Sequence, residues 1–368
     1  MIQNVQALRA IAACMVLLIH VLSTRETSLD GFKAVYWWLG PAGVDVFFVI
    51  SGLIVSTTAA RAGQRAASRR EAVVPFALKR VVRIYPVYWV VLALAFLAST
   101  RIELAPDWVR SLYHHGPLRL ALLATTENDV VLAAWTLCYE MYFYLVLAAI
   151  LLIAPRRVFP LLAAWALAQA VLIAAAGTIE REWMRIVAFS PLLLEFALGC
   201  GAGYLVSRGR VRGGAPALAL GLAWLIGGAV VHRLYGNWEP WWRAPTFGPA
   251  AALIAYGLVA LEESRGFVLP KWLCRLGDPS YSIYIWHQLV LAVLAAISDE
   301  LDLLYRLPDA LVLLLWTALT LAVGFASYHG LERPLVDWLR RRLDAPRRMP
   351  AAADADAVAA PRPSAAVP

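Results

Sequence analysis

VQALRAIAACMVLLIHVL, Val5 to Leu22, is an apolar run of helix-forming residues that carries a guanidinium at Arg9 and an imidazole at His20. About 20 apolar residues in a helix cross the hydrocarbon core of a bilayer, so this stretch predicts a first transmembrane helix. It has no basic leader and no clean small-residue cleavage site, and it is expected to be retained rather than removed as a signal peptide. Eleven residues turn an α-helix about 1,100°, roughly 20° from three full turns, and raise it about 16–17 Å. Arg9 and His20 therefore share one face at different depths.

Runs of the same kind recur along the chain. Of its 368 residues 61% are hydrophobic and 16% charged, against about 25% charged in a typical soluble domain. The apolar runs predict an all-α, polytopic membrane bundle of about ten helices near 5–23, 35–58, 84–100, 130–153, 158–177, 187–206, 217–235, 246–262, 280–298 and 309–330. With a cytosolic amino terminus, the inside segments hold 22 Lys and Arg and the outside segments 10. This is the positive-inside pattern, and it places both termini in the cytosol. The net charge of +8 is thus a topology signal and does not imply nucleic acid. Residues 1–343 form one membrane domain, and the Ala/Pro-rich 344–368 reads as a disordered cytosolic tail. The cysteines, Cys14, Cys138, Cys200 and Cys274, are scattered with no CxxC or Cys/His spacing, so neither a disulfide framework nor a metal site is indicated.

An ionisable side chain inside a bilayer is costly, so each embedded one is a candidate for function. His20 can take a proton from a hydroxyl at neutral pH, and Arg9 can orient an anion, the alternative being an interfacial histidine and a snorkelling arginine. Asp45, in GPAGVDVFFVISGLIV from Gly40 to Val55, lies toward the same side as His20 if the spans are antiparallel, which allows an Asp–His pairing. Lys79, Arg80 and Arg83 close a basic inside loop at 59–83; two arginines three apart are neighbours on a helix and can grip phosphate. Thr136, Glu140 and Tyr144 follow Trp135 at i, i+4 spacing and make one polar stripe. Ser280, Tyr284 and His287, with Gln288 beside them, make a second, suited to line a substrate path. Glu332, in Tyr328 to Pro334, lies near the cytosolic surface and needs no role beyond pairing with a basic neighbour.

Taken in order, these motifs resemble the membrane acyltransferase-3 family, which includes O-antigen, exopolysaccharide and nodulation-factor acetyltransferases. They are Arg9-x10-His20, GVDVFFVISG around Asp45, Lys79-Arg80-x-x-Arg83-Ile84-x-Pro86, Trp135-x-Leu137-x-x-Glu140-x-x-Phe143-Tyr144, Ser280-Tyr281-Ser282-x-Tyr284-x-x-His287 and Glu332-Arg333-Pro334. Thr136 stands where Ser is usual and Lys79 where Arg is common. The opening NVQALRAIAA is also similar to the subset that acetylates secreted polysaccharides such as succinoglycan.

The resemblance implies an O-acyltransferase of the bacterial inner membrane that moves an acyl group, acetyl from cytosolic acetyl-CoA, onto a glycan, with a lipid-linked oligosaccharide or polysaccharide as acceptor. His20 would be catalytic with Arg9 in support; Lys79, Arg80 and Arg83 would hold the acyl-CoA; Asp45 and Glu140 would orient the parts. Trp135, Tyr144, Ser280, Tyr284 and His287 would contact substrate. No metal is required, and an oligomer is left open. The rival reading is a proton-coupled transporter or flippase of glycan precursors, since buried His, Asp and Glu also build proton paths.

Overall fold

The computed structural model describes residues 2–23, 30–101, 116–176, 187–209, 211–236, 239–301 and 307–344; the expected tail lies outside them from residue 345 onward. The α-helices are α1 (Gln3–Ser23), α2 (Asp30–Tyr36), α3 (Ala42–Arg65), α4 (Arg69–Arg101), α5 (Pro117–Ala121), α6 (Trp135–Ile153), α7 (Val158–Ala176), α8 (Leu193–Ser207), α9 (Gly214–Tyr235), α10 (Pro240–Arg265), α11 (Lys271–Leu276), α12 (Ser280–Leu301), α13 (Asp309–Ser327) and α14 (Arg333–Asp344). There is no strand among the described residues.

Nine helices among the described residues are long and apolar enough to cross a membrane. The tenth expected span is α8, which has 15 residues. At 1.5 Å per residue it measures about 22 Å, short of the ~30 Å hydrocarbon core. It starts later than its apolar run because residues 187–192 are spent on turns up to Pro191, a residue pre-set for the first helical turn.

Two boundaries depart from the sequence expectation. The second span is shifted to Ala42–Arg65, because Pro41 starts the helix and the backbone ladder runs on through Arg61 and Arg65. The basic stretch 59–83, expected as a loop, is helical except around residues 66–68. Arg80 and Arg83 therefore project from α4, a helix of 33 residues that contains Pro75 and Pro86. Charge marks where lipid ends, while the hydrogen-bonded helix continues past that level to about 50 Å in all.

α3 is the central helix, packing on α1, α8 and α10 and also meeting α4 and α6. Its contact with α8 is backbone against backbone. A Cβ at Gly52 would collide with the Phe196 carbonyl, and one at Gly199 with the Val49 carbonyl. In lipid, helices gain little from burying apolar area against each other, so close approach through small residues supplies the dispersion energy that holds such a pair.

The start of α1 is fixed by side chains that the sequence did not single out. Glu262 accepts the backbone N–H of Gln3 at 2.8 Å and of Asn4 at 2.7 Å, satisfying two orphan donors at the positive end of the helix. The buried Asn4 amide donates to the carbonyls of Leu258 and Phe267 and accepts from the N–H of Leu269. At the other end of the chain, Tyr328–Glu332 forms a π-helical turn between α13 and α14. The extra residue in that turn rotates Glu332 inward, where it is buried and accepts a 2.7 Å hydrogen bond from Ser282.

Candidate active site

Arg9 and His20 leave one face of α1, as their spacing requires, and enter two different cavities. The inner chamber, about 90 Å³, is lined by Arg9, Ser51, Arg80, Arg83, Glu140, Tyr144, Ser280 and Tyr281. The outer chamber, about 520 Å³, is lined by His20, Trp37, Trp135, Arg243, His287 and Gln288. Val44 and Tyr284 line both. Each polar stripe of the sequence runs along this axis: Arg9 to His20 on α1, Tyr144 and Glu140 back to Trp135 on α6, and Ser280 through Tyr284 to His287 on α12.

Three guanidiniums, those of Arg9, Arg80 and Arg83, line the inner chamber with one carboxylate, Glu140. Glu140 accepts from Ser51 at 3.3 Å and from the Tyr144 hydroxyl. The Arg80 guanidinium sits over the Tyr144 ring at 5.4 Å, and its buried Nε has no partner. Glu332 lies in electrostatic range of Arg83 and Arg9. Guanidiniums at this depth are tolerated because carboxylates offset part of their charge, and the excess of one positive charge suits an anion. The Ser280 hydroxyl, also buried, has no partner.

In the outer chamber the two imidazoles stand edge to face, with centroids 4.9 Å apart. His20 Nδ1 is 2.7 Å from the Val16 carbonyl, and His287 Nδ1 is bonded to the Tyr284 carbonyl. A carbonyl only accepts, so each Nδ1 carries a proton. His287 Nε2 is buried without a partner. The arrangement is a pair of imidazoles beside a cavity with Trp37 and Trp135 on its wall. Tyr284 stands between the chambers, its hydroxyl accepting from Thr136 at 3.0 Å and donating toward the Ala133 carbonyl at 3.3 Å.

Residues 2–329 match the acyltransferase-3 family, described as an acyltransferase domain. The chain belongs to the acyltransferase-3 family. It is similar to the exopolysaccharide production protein ExoZ of Rhizobium meliloti (strain 1021), with 31% identity over 309 residues, covering 82% of this chain and 91% of that protein. No solved structure matches it.

The folded chain places three of the family's motif residues as follows. Asp45 does not pair with His20. Its Oδ2 is held at 2.8 Å by Arg243, and its Oδ1 has no hydrogen-bond partner. Arg9, at a different depth from His20 as its spacing predicts, lines the other chamber, and its Nη1 donates to Gln6 at 3.2 Å. Lys79, grouped with the arginines by sequence, is exposed and lines neither chamber.

Arg243 and Glu195 are the residues that sequence reasoning missed. Arg243 fell in an outside segment and was counted as a loop charge, yet it is buried in α10, donates to the Pro41 carbonyl, and lies 5.8 Å from the Trp135 ring centroid. Glu195 is fully buried in α8, in electrostatic range of both Asp45 and Arg243. A charge inside an apolar run was the available signal for Glu195. Among the described residues no His, Cys, Asp and Glu cluster could hold a metal ion.

Proposed function

We propose that this chain is a multi-pass O-acetyltransferase of the bacterial inner membrane that moves the acetyl group of cytosolic acetyl-CoA onto a hydroxyl of an exported, lipid-linked glycan. The observation that carries the reading is the pair of chambers meeting at Tyr284, arginine-rich on one side and carrying paired imidazoles on the other. The similarity to an exopolysaccharide production protein supports a secreted polysaccharide as the acceptor.

In this reading the basic end faces the cytosol, with both termini. Arg80 and Arg83 take the phosphates of the donor, while Arg9 and Ser280 line its way inward. The thioester passes Tyr284 to reach the outer chamber. There a sugar hydroxyl, resting against Trp135, gives its proton to His20 Nε2 as its oxygen attacks the thioester carbon. The C–S bond breaks, the thiolate of coenzyme A leaves, and the imidazolium returns the proton to it. Asp45 acts through Arg243, holding the guanidinium at the chamber wall. His287 fixes the orientation of His20 by its ring contact.

The test uses the full chain in proteoliposomes with radiolabelled acetyl-CoA and the acceptor glycan. Label should appear on the glycan and vanish with His20→Ala. Glycan that crosses the membrane unlabelled would instead make the protein a flippase.

A further inference from the structure

Two clefts flank α8 and belong to neither chamber. One, about 930 Å³, opens between α3, α7 and α8; the other, about 940 Å³, lies on the opposite side of α8 toward α10. They share Ala166, Ala197 and Gly201, so a saddle of small residues joins them. A Cβ at Gly201 would meet nothing within 4 Å.

The first cleft has a basic mouth formed by Arg61, Arg156 and Arg208, all exposed. The ion pairs of the described residues involve other arginines. Gly63 lets α3 press against the Pro155 carbonyl, which brings the segments that carry Arg61 and Arg156 together at the cleft. Arg208 is steadied over the Tyr204 ring at 5.4 Å. Below this level the walls are apolar, with Phe159 and Leu162 in one cleft and Leu194 and Leu198 in the other. From Arg208 to Ala197 is eleven residues, about 16 Å of helix, which is about half of the ~30 Å hydrocarbon core.

We propose that a diacyl anionic phospholipid straddles α8, its phosphate against Arg61, Arg156 and Arg208 and one acyl chain in each cleft across Gly201. Three guanidiniums at one cleft mouth match a phosphodiester in charge. The depth matches one leaflet, and two joined clefts match two chains where a single-chain prenyl phosphate would fill one. The lipid also covers a helix too short to span the bilayer, which offsets its hydrophobic mismatch.

The full chain is exchanged into nanodiscs of phosphatidylcholine containing phosphatidylglycerol, and the lipid it retains is read by native mass spectrometry. Phosphatidylglycerol should be enriched on the wild type. In Arg61→Gln/Arg156→Gln/Arg208→Gln that retention should fall on the order of tenfold or more, while Arg65→Gln/Arg69→Gln/Arg70→Gln should keep it. Gly201→Leu, which fills the saddle, should lose both lipids; Ala166→Leu, from the facing wall, gives the same readout if the first variant does not fold. An equal loss from the control triple would overturn the site in favour of diffuse surface charge. Displacement of phosphatidylglycerol by added prenyl phosphate would overturn the two-chain occupant.

Discussion

In the proposed reaction His20 is the base, its ring oriented by the hydrogen bond from Nδ1 to the Val16 carbonyl on its own helix. His20→Ala should lower kcat for acetyl transfer by about 10²–10⁴ with little change in the KM for acetyl-CoA, measured with labelled donor on purified protein. The arginines of the inner chamber act on the other parameter. Arg83→Ala should raise the KM for acetyl-CoA by about tenfold or more, the value of one charge-assisted contact; an unchanged KM would return Arg83 to a topogenic role. The Asp45–Arg243 pair gives a stability prediction. Asp45→Ala removes the carboxylate hydrogen-bonded to the buried Arg243 and leaves only Glu195 in electrostatic range of it, so it should destabilise the protein by up to about 3–5 kcal/mol, read as a lowered unfolding temperature in detergent. Adding Arg243→Met together with Glu195→Gln should recover part of that loss, because no buried charge of the cluster is then left.

Helices α3 and α8 set the geometry behind both chambers. Gly52 and Gly199 let the two backbones touch, so Val49, Ser51 and Glu195 take their places from a contact with no slack. Gly52→Leu should destabilise the bundle by roughly 3 kcal/mol or more, since overpacking here meets carbonyl oxygens and not movable side chains. Gly330, whose Cβ would meet nothing within 4 Å, is the matching control, and Gly330→Ala should unfold as the wild type does. The π-helical turn at Tyr328–Glu332 is an element that no spacing rule foretold, because apolar periodicity reports a mean of 3.6 residues per turn and passes over one extra residue. Its effect is local: it brings Glu332, read from sequence as a surface residue, into the bundle beside Ser282.

For the molecule as a whole, two chambers on opposite sides of Tyr284 make the proposed transfer sided. In proteoliposomes sorted by orientation, acetylation should occur only when acetyl-CoA is on the basic face and the glycan on the other; equal activity from either side would exclude a donor path through the inner chamber. The all-helical class, the approximate spans and the polar stripes on α1, α6 and α12 were legible in the sequence because lipid imposes long apolar runs and makes every embedded polar residue conspicuous. The run of six ordered motifs also carries the family's signature in the sequence alone. Which embedded groups meet was decided by tertiary structure alone. Asp45 found Arg243, 198 positions away along the chain, and not His20; Arg9 and His20 were divided between two cavities; Arg243 and Glu195 came from segments that looked like loop charge and apolar filler. The physical reason is that periodicity fixes the face a side chain leaves from, whereas its partner depends on helix crossings set by small residues, such as Gly52 and Gly199, whose contacts lie far apart in sequence.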